Sequence, residues 1–342
     1  MTISTKRLGL GLAGWLVVLV ALLLLPGQIP RGSQEIVLSL LIWIGIAQSW
    51  NLIGGIAGQL SLGHSVFVGA GSYGLAMLVT KAHMGWLGAL IVAGVLSAGL
   101  AWLVSFPLLR LSGVYFTIGS SAVALMALAW MVTWEWTGES RGLNIPLDAV
   151  PDRATKFRMI ATLAVLICVV VHLVLRSTFG LRLMAVRDDE GAAAALGVSA
   201  RRVKRQAFVL SGLTTGLMGA AVAVNQVSIE PNSMFSLKWV VTALVMVIVG
   251  GMGTTGGPIL GAFVIYYLVD RSLDGQPVLQ ALLNGVLVIA VIVMAPNGLM
   301  GLIRGAWASM GRRSDQTATH RTVREGPLSG SGAVHGGATG SG

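Results

Sequence analysis

Long apolar runs without a single aspartate, glutamate, lysine or arginine recur along this 342-residue chain. They lie near 8–25, 36–53, 60–80, 86–109, 114–134, 159–175, 206–229 and 278–294, with a further uncharged stretch from Trp239 to Val269. Wound as helices, runs of about 20 apolar residues match the hydrocarbon thickness of a bilayer. The expected fold class is therefore an all-α polytopic membrane protein. Only 11% of the residues are charged, against roughly 25% in soluble domains, so a water-soluble fold would lack polar surface.

The formal net charge is +10. Lys and Arg cluster in a few loops, which fits membrane orientation better than nucleic-acid binding. The single cysteine, Cys168, lies inside an apolar run. It can build neither a disulfide framework nor a Cys-based metal site, and its expected role is that of a small buried hydrophobe. Lys6-Arg7 and the run to Leu25 imitate a signal peptide, but Pro26-Gly-Gln-Ile-Pro30 stands in place of a cleavage motif. Residues 1–35 are read as a retained first span and its loop.

Charge asymmetry sets the expected topology. Lys6 and Arg7 place the N-terminus in the cytoplasm. Six crossings later, the island 176–205 also falls inside, with seven basic and three acidic residues. The loop 135–158 falls outside with four of each sign. Arg304, Arg312 and Arg313 should be inside as well, which needs an even number of crossings. The stretch 239–269, interrupted by Gly250-Gly-Met-Gly-Thr-Thr-Gly-Gly-Pro258, must then reverse direction as two half-length helices. The expected total is about ten segments, including these short or broken ones, within a transmembrane domain at 36–303. Broken helices often line a substrate path; a glycine-rich packing turn is the other reading. The remainder, 304–342, reads as a cytoplasmic tail, Gly/Ser/Thr-rich and disordered by composition from Gly311 onward.

Two regions could carry function. The first, Gly54 to Tyr73, places Gln59, Ser61 and His64 among glycines at membrane depth. Polar side chains there face a bundle interior or a pathway. As a helix, Gln59 and Gly63 would share a face, as would Leu60 and His64. His64 could equally be a packing histidine, and no metal ligand neighbours it. The glycine placement of Gly54-Gly-Ile-Ala-Gly-Gln returns in Gly250-Gly-Met-Gly-Thr-Thr, which suggests an internal repeat or a chance likeness of glycine-rich helices.

The second region is the charged island. Asp188, Asp189 and Glu190 suit the positive end of a short helix through Ala192 to Leu196. Gly197 suits its stop, and Ser199 can cap the next helix. A short, smooth helix on a cytoplasmic face suits another protein's groove; a solvated loop that merely sets topology is the bland alternative.

Absences narrow the function. No Gly-Lys dipeptide exists, hence no P-loop. No carboxylate lies within the spans, so no proton-coupling group is evident. No triad or carboxylate pair suggests catalysis.

The chain resembles the permease subunits of branched-chain amino acid ABC importers of the LivM type, with a type II importer fold. The likeness rests on Asn51-Leu52 with Gly58-Gln-Leu-Ser-Leu-Gly-His64 and Phe67, and on Leu111-Ser-Gly-Val-Tyr-Phe-Thr117. It rests also on Gly180 to Glu190 with Ala195-Leu-Gly197, on Gly250-Gly-Met-Gly253 with Gly257-Pro258 and Gly261, and on Ala295-Pro-Asn-Gly-Leu299. It covers roughly residues 36–303.

The resemblance implies a non-enzymatic transport subunit of the bacterial inner membrane, without cofactor of its own. It would pair with a homologous second permease, two cytoplasmic ATPases that use ATP and Mg, and an extracytoplasmic binding protein. An ATPase-docking loop of the pattern Glu-Ala-Ala-x-x-x-Gly is matched by Ala192, Ala193 and Gly197. Gly191 stands at the Glu position, with Glu190 one residue early. The implied coupling residues are Arg187, Asp188, Asp189, Glu190, Gly191, Ala192, Ala193 and Gly197. The candidates for the translocation path are Asn51, Gln59, Ser61, His64, Thr254 and Thr255. A urea or amide permease of the same superfamily, or a self-sufficient secondary carrier, are the competing readings.

Overall fold

A computed structural model describes residues 5–267 together with 278–279, 282–283, 285–286 and 298–302. Of the expected span at 278–294, the residues other than 278–279, 282–283 and 285–286 lie outside the described residues, as does the tail 304–342.

Six helical stretches among the described residues are long and apolar enough to cross a membrane: Arg31–Ile56, Trp86–Leu108, Gly113–Thr133, Arg153–Arg176, Ala200–Gln226 and Pro231–Gly250. Three further apolar helices, Gly11–Gly27, Ser65–Thr80 and Gly256–Ile265, are shorter. In chain order the helices are α1 (Thr5–Leu24), α2 (Arg31–Asn51), α3 (Ser65–Thr80), α4 (Trp86–Leu108), α5 (Gly113–Thr133) and α6 (Arg153–Arg176). They continue as α7 (Thr178–Asp188), α8 (Glu190–Ala195), α9 (Ala200–Gln226), α10 (Pro231–Met234), α11 (Leu237–Gly250) and α12 (Gly256–Ile265).

Lipid offers no hydrophobic drive between helices, so close backbone approach through small residues must hold them together. The α3–α4–α9 core is built this way. Ser97 and Ala101 of α4 sit over Gly216 and Gly212 of α9, where any Cβ would collide with them. On the other side of α9, a Cβ on Gly219 would fall on the Val68 carbonyl of α3. Ser72 of α3 adds a hydrogen bond to the Gly219 carbonyl, 2.8 Å. Cys168 is buried and unpaired among apolar residues, as its sequence surroundings imply.

By contrast, α4 and α5 expose large apolar side chains such as Leu103, Val114, Ile118 and Met126. In a membrane helix those are ordinary faces for lipid or another helix. A two-stranded ribbon, β1 (Leu143–Asn144) and β2 (Ser228–Ile229), pairs antiparallel and ties the α5–α6 connection to the end of α9.

Two expectations are corrected here. The run 60–80 is not one helix. Helix α2 passes through a π-turn at Leu52–Ile56, the backbone from Ala57 to Gly63 is irregular, and α3 begins only at Ser65. Gln59 and Gly63, or Leu60 and His64, therefore share no helix face. Asp188, expected at the start of a helix, closes α7 instead. That eleven-residue helix is capped by Ser177, whose hydroxyl accepts from the Gly180 N–H at 3.1 Å. The expected reversal in 239–269 is present. Gly250 packs on the Gly257 carbonyl and Gly261 on the Met246 carbonyl, so α11 and α12 run antiparallel around the break 251–255.

Candidate functional site

Irregular backbone at membrane depth must find partners within the protein, and the partners of 57–64 build the site. The Trp50 indole donates to the Ser61 carbonyl at 2.8 Å. The Thr117 hydroxyl of α5 donates to the Leu60 carbonyl at 2.8 Å, and the Leu62 N–H donates to Ser120 Oγ at 3.0 Å. Gln59 N–H reaches back to the Ile53 carbonyl, 2.9 Å. The start of α5 thus acts as a brace for the break.

Below the loop sits a polar knot. His64 Nδ1 lies 2.8 Å from Ser61 Oγ and Nε2 lies 2.7 Å from Ser211 Oγ. The Ser211 hydroxyl donates its one proton to the Ser49 carbonyl at 2.6 Å. Ser211 Oγ can therefore only accept from the ring, which places the proton on Nε2 and leaves Nδ1 to accept from Ser61. No carboxylate is among the ring's partners, so nothing there compensates a positive charge. Phe67 and Phe208 enclose the imidazole edge-on, at centroid distances of 5.2 and 5.8 Å.

The second break touches the first. The buried Asn51 amide donates to the Thr254 carbonyl and accepts from the Gly253 N–H, both at 2.9 Å. Gln48 Nε2 donates to the Thr255 carbonyl at 2.5 Å. The Thr254 hydroxyl closes its own turn, donating to Gly251 O at 2.9 Å and accepting from Gly257 N–H at 3.0 Å. The two glycine-rich segments whose likeness suggested a repeat therefore both interrupt helices and lie against each other. Gly55 makes this approach possible, since a Cβ there would strike Asn51 Oδ1 and sit 2.6 Å from the Gly253 nitrogen.

Of the path candidates, Asn51 meets Thr254, and Ser61 meets His64. Asn51, Ser61 and His64 are buried inside the chain itself, while Gln59 is half-buried next to the exposed Gly58 and Leu60. Residues not singled out from sequence, namely Gln48, Trp50, Ser120 and Ser211, carry much of the network. Ser211 and the polar run through Thr215 stood out only weakly as small hydroxyls inside an otherwise apolar span.

The charged island forms an exposed corner. Asp189 alone separates α7 from α8. Its N–H bonds the Ala185 carbonyl at 3.0 Å while its carboxylate accepts from Ala192 N–H at 2.9 Å. Helix α8 has six residues, about 9 Å at 1.5 Å each, shorter than the expected stretch from Asp188 to Leu196. Only Ala193 is buried; Gly191, Ala192 and Gly197 are exposed, and Leu196 is 83% exposed. Gly197, at φ +80, provides the left-handed stop. Lys204 of α9 holds Glu190 at 2.6 Å. Ser199 stands at the cap of α9 without a side-chain cap bond.

An apolar cavity of about 490 Å³ opens between α3, α4 and α5, lined among others by Tyr73, Met77, Leu100, Val104, Met126 and Trp130.

Among the described residues, stacked apolar helices with buried, hydrogen-bonded breaks are the features of a multi-pass membrane protein. The family of branched-chain amino acid transport system permease components matches residues 34–295. The chain belongs to that family, as an ABC permease of the LivM type. It is 29% identical over 322 residues to the high-affinity branched-chain amino acid transport system permease protein LivM of Escherichia coli, covering 84% of this chain and 75% of the relative. The LivM protein of Salmonella typhimurium is 28% identical, covering 88% and 77%. The L-arabinose ABC transporter permease protein AraH of Azospirillum brasilense is 26% identical, covering 77% and 79%. No solved structure gives a significant match. A permease component of an ABC transporter works within a complex with other subunits.

Proposed function

We propose that this chain is the membrane subunit of an ATP-driven importer of branched-chain or closely related amino acids in a bacterial inner membrane. It forms half of the translocation path with a homologous second permease. Two ATPase subunits, which bind the ATP and Mg, engage α8 from the cytoplasm. An extracytoplasmic binding protein delivers the substrate. The N- and C-termini then lie on the cytoplasmic side, and the chain itself holds no cofactor.

The observation that carries this reading is the α7–α8 corner. Within the charged island, the small-residue helix α8 is followed by the exposed Leu196 and buries only Ala193. The exposed leucine next to exposed alanines makes a small apolar surface that suits a groove on a partner protein. The coupling set is then Arg187, Asp188, Asp189, Glu190, Gly191, Ala192, Ala193 and Gly197. Asp189 and Lys204 hold the corner's shape, and Gly191, Ala192 and Leu196 present its surface.

For the path, burial divides the candidates. Gly58 and Leu60 are exposed and Gln59 is half-buried between them, and these three are assigned to the path. Asn51, Ser61, His64, Thr254 and Thr255 set the shape of the breaks that frame it.

Sugar permeases among the relatives support a second reading, a sugar importer. The cavity beside α5 favours the first, because its almost wholly apolar wall suits an aliphatic side chain and offers few partners for sugar hydroxyls. The test is co-purification from native membranes, then reconstitution with the partners found. Uptake of labelled leucine, isoleucine and valine is compared with arabinose, ribose and urea. ATP-dependent leucine uptake is expected. Gradient-driven uptake by the chain alone, or preference for a sugar or urea, would replace this reading.

A further inference from the structure

Helix α8 moves nothing unless its displacement reaches the membrane; Lys204 ties it to α9 through Glu190, and a second side chain, on α7, reaches the helix breaks. Arg187 lies in the last turn of α7, two residues before the cap of α8. Its Nη1 donates to the Gly55 carbonyl at 3.1 Å. Gly55 lies in the π-turn that ends α2, where the regular carbonyl ladder is broken and the helix end carries partial negative charge. The stem of Arg187 lies on Gly58, whose φ of +70 and missing side chain leave the room; a Cβ there would fall on Arg187 Cγ. On the far side of the guanidinium, Nη1 is 3.2 Å from where a Cβ of Gly253 would be. Three glycines from two separate helix breaks thus make one seat for this cation. Gly55 in turn abuts Asn51, which grips Gly253 and Thr254.

We infer that Arg187 is the positioning residue that carries displacement of α8 to both breaks. The contacts form a series: Asp189 fixes α8 to α7, Arg187 fixes α7 to Gly55, and Asn51 fixes that turn to the loop 251–255. A basic residue present only to set topology needs no such seat. Arg187 is itself partly exposed and also pairs with the neighbouring Asp188 at 3.0 Å, so what marks it is the Gly55 hydrogen bond and the room left by three glycines. The inference rests on the reading that ATPases engage α8.

The test uses the full complex in proteoliposomes and measures solute accumulated per ATP hydrolysed. Arg187→Met loses the charge-assisted hydrogen bond to Gly55 together with the exposed pair to Asp188, the former the larger loss, and should lower that ratio roughly tenfold. Arg187→Lys keeps one donor and should recover part of it. Because the links act in series, Arg187→Met combined with Asn51→Ala should be no worse than the poorer single variant. A wild-type ratio in Arg187→Met, or losses that multiply in the double variant, would overturn the inference while ATP-driven uptake still stood. If Asn51→Ala does not assemble, amide exchange at 251–255 replaces the cycle: acceleration in Arg187→Met supports the link, and an unchanged rate refutes it. Absence of ATP-dependent uptake by the wild-type complex would instead remove the underlying reading, and this inference with it.

Discussion

His64 Nε2 and Ser211 Oγ, 147 positions apart in sequence, lie 2.7 Å from each other and join the start of α3 to the middle of α9. Ser211 also holds the Ser49 carbonyl, so its loss leaves a buried N–H and a buried carbonyl without their partner. Ser211→Ala should destabilise by about 1–3 kcal/mol. Thermal unfolding of the detergent-purified protein should show a midpoint lower by several degrees. An unchanged midpoint would mean the knot contributes nothing to stability.

Gly63 should tolerate no side chain. A Cβ there falls on the Ser120 carbonyl of the brace, which is backbone and cannot turn aside. Gly63→Ala is expected to abolish the monodisperse peak in size-exclusion chromatography. Gly99→Ala, where nothing lies within 4 Å, is the control and should gain up to ~1 kcal/mol from helix propensity.

Thiol accessibility should follow burial rather than polarity. In a Cys168→Ser background, Gln59→Cys and Leu60→Cys should react with a water-soluble maleimide in the assembled complex. Ser61→Cys should stay inert, because Ser61 is 0% exposed. Rapid labelling of Ser61→Cys would place that position on the path.

Gly191 offers the cleanest probe of docking. A Cβ there meets only Asp189 Oδ1 at 3.3 Å, and the residue is exposed. Gly191→Trp should therefore fold and insert normally yet lose ATPase association, read by co-purification. Gly197→Trp is less informative, since its left-handed φ makes any side chain strained. Retained association and uptake in Gly191→Trp would remove α8 as the coupling element.

Asp152 caps α6 and should give a small acid-dependent term. Hydrogen bonds from the Thr155 side chain and backbone, with a lesser one from Ala154, hold its carboxyl below the ordinary 3.8. A depressed carboxyl stabilises the fold above its unfolded value and loses that contribution as pH falls through its folded value. Wild type should therefore lose more stability than Asp152→Asn, which keeps the cap, on going from pH 5 to pH 3. Equal losses would show that the cap bonds do not favour the ionised form.

Much of the architecture was legible in the chain. Runs free of charge located the helices, and the parity of basic loops required the reversal that α11 and α12 make. The Gly-Pro punctuation at 250–258 marked its place. Helix α7 was not legible: its Arg182, Arg187 and Asp188 made it look like loop, although Ser177 could have signalled a cap. Nor was the break before α3, because Gly58 to His64 is as apolar and as small-residue-rich as a packed helix. Hydropathy cannot tell a helix from irregular backbone whose polar groups are satisfied by neighbours distant in sequence.

The amino-acid order by itself determined that this is a bundle of membrane helices with one charged corner, since transfer into lipid depends on local composition. It also carried the motifs of its family. Only the tertiary structure decided that Asn51 binds Gly253 and Thr254, that His64 binds Ser211, and that Arg187 seats on Gly55. Those are pairings between segments far apart in the chain, and each exists because a glycine lets two backbones approach or a freed carbonyl at depth requires a donor. No local pattern can say which donor will arrive.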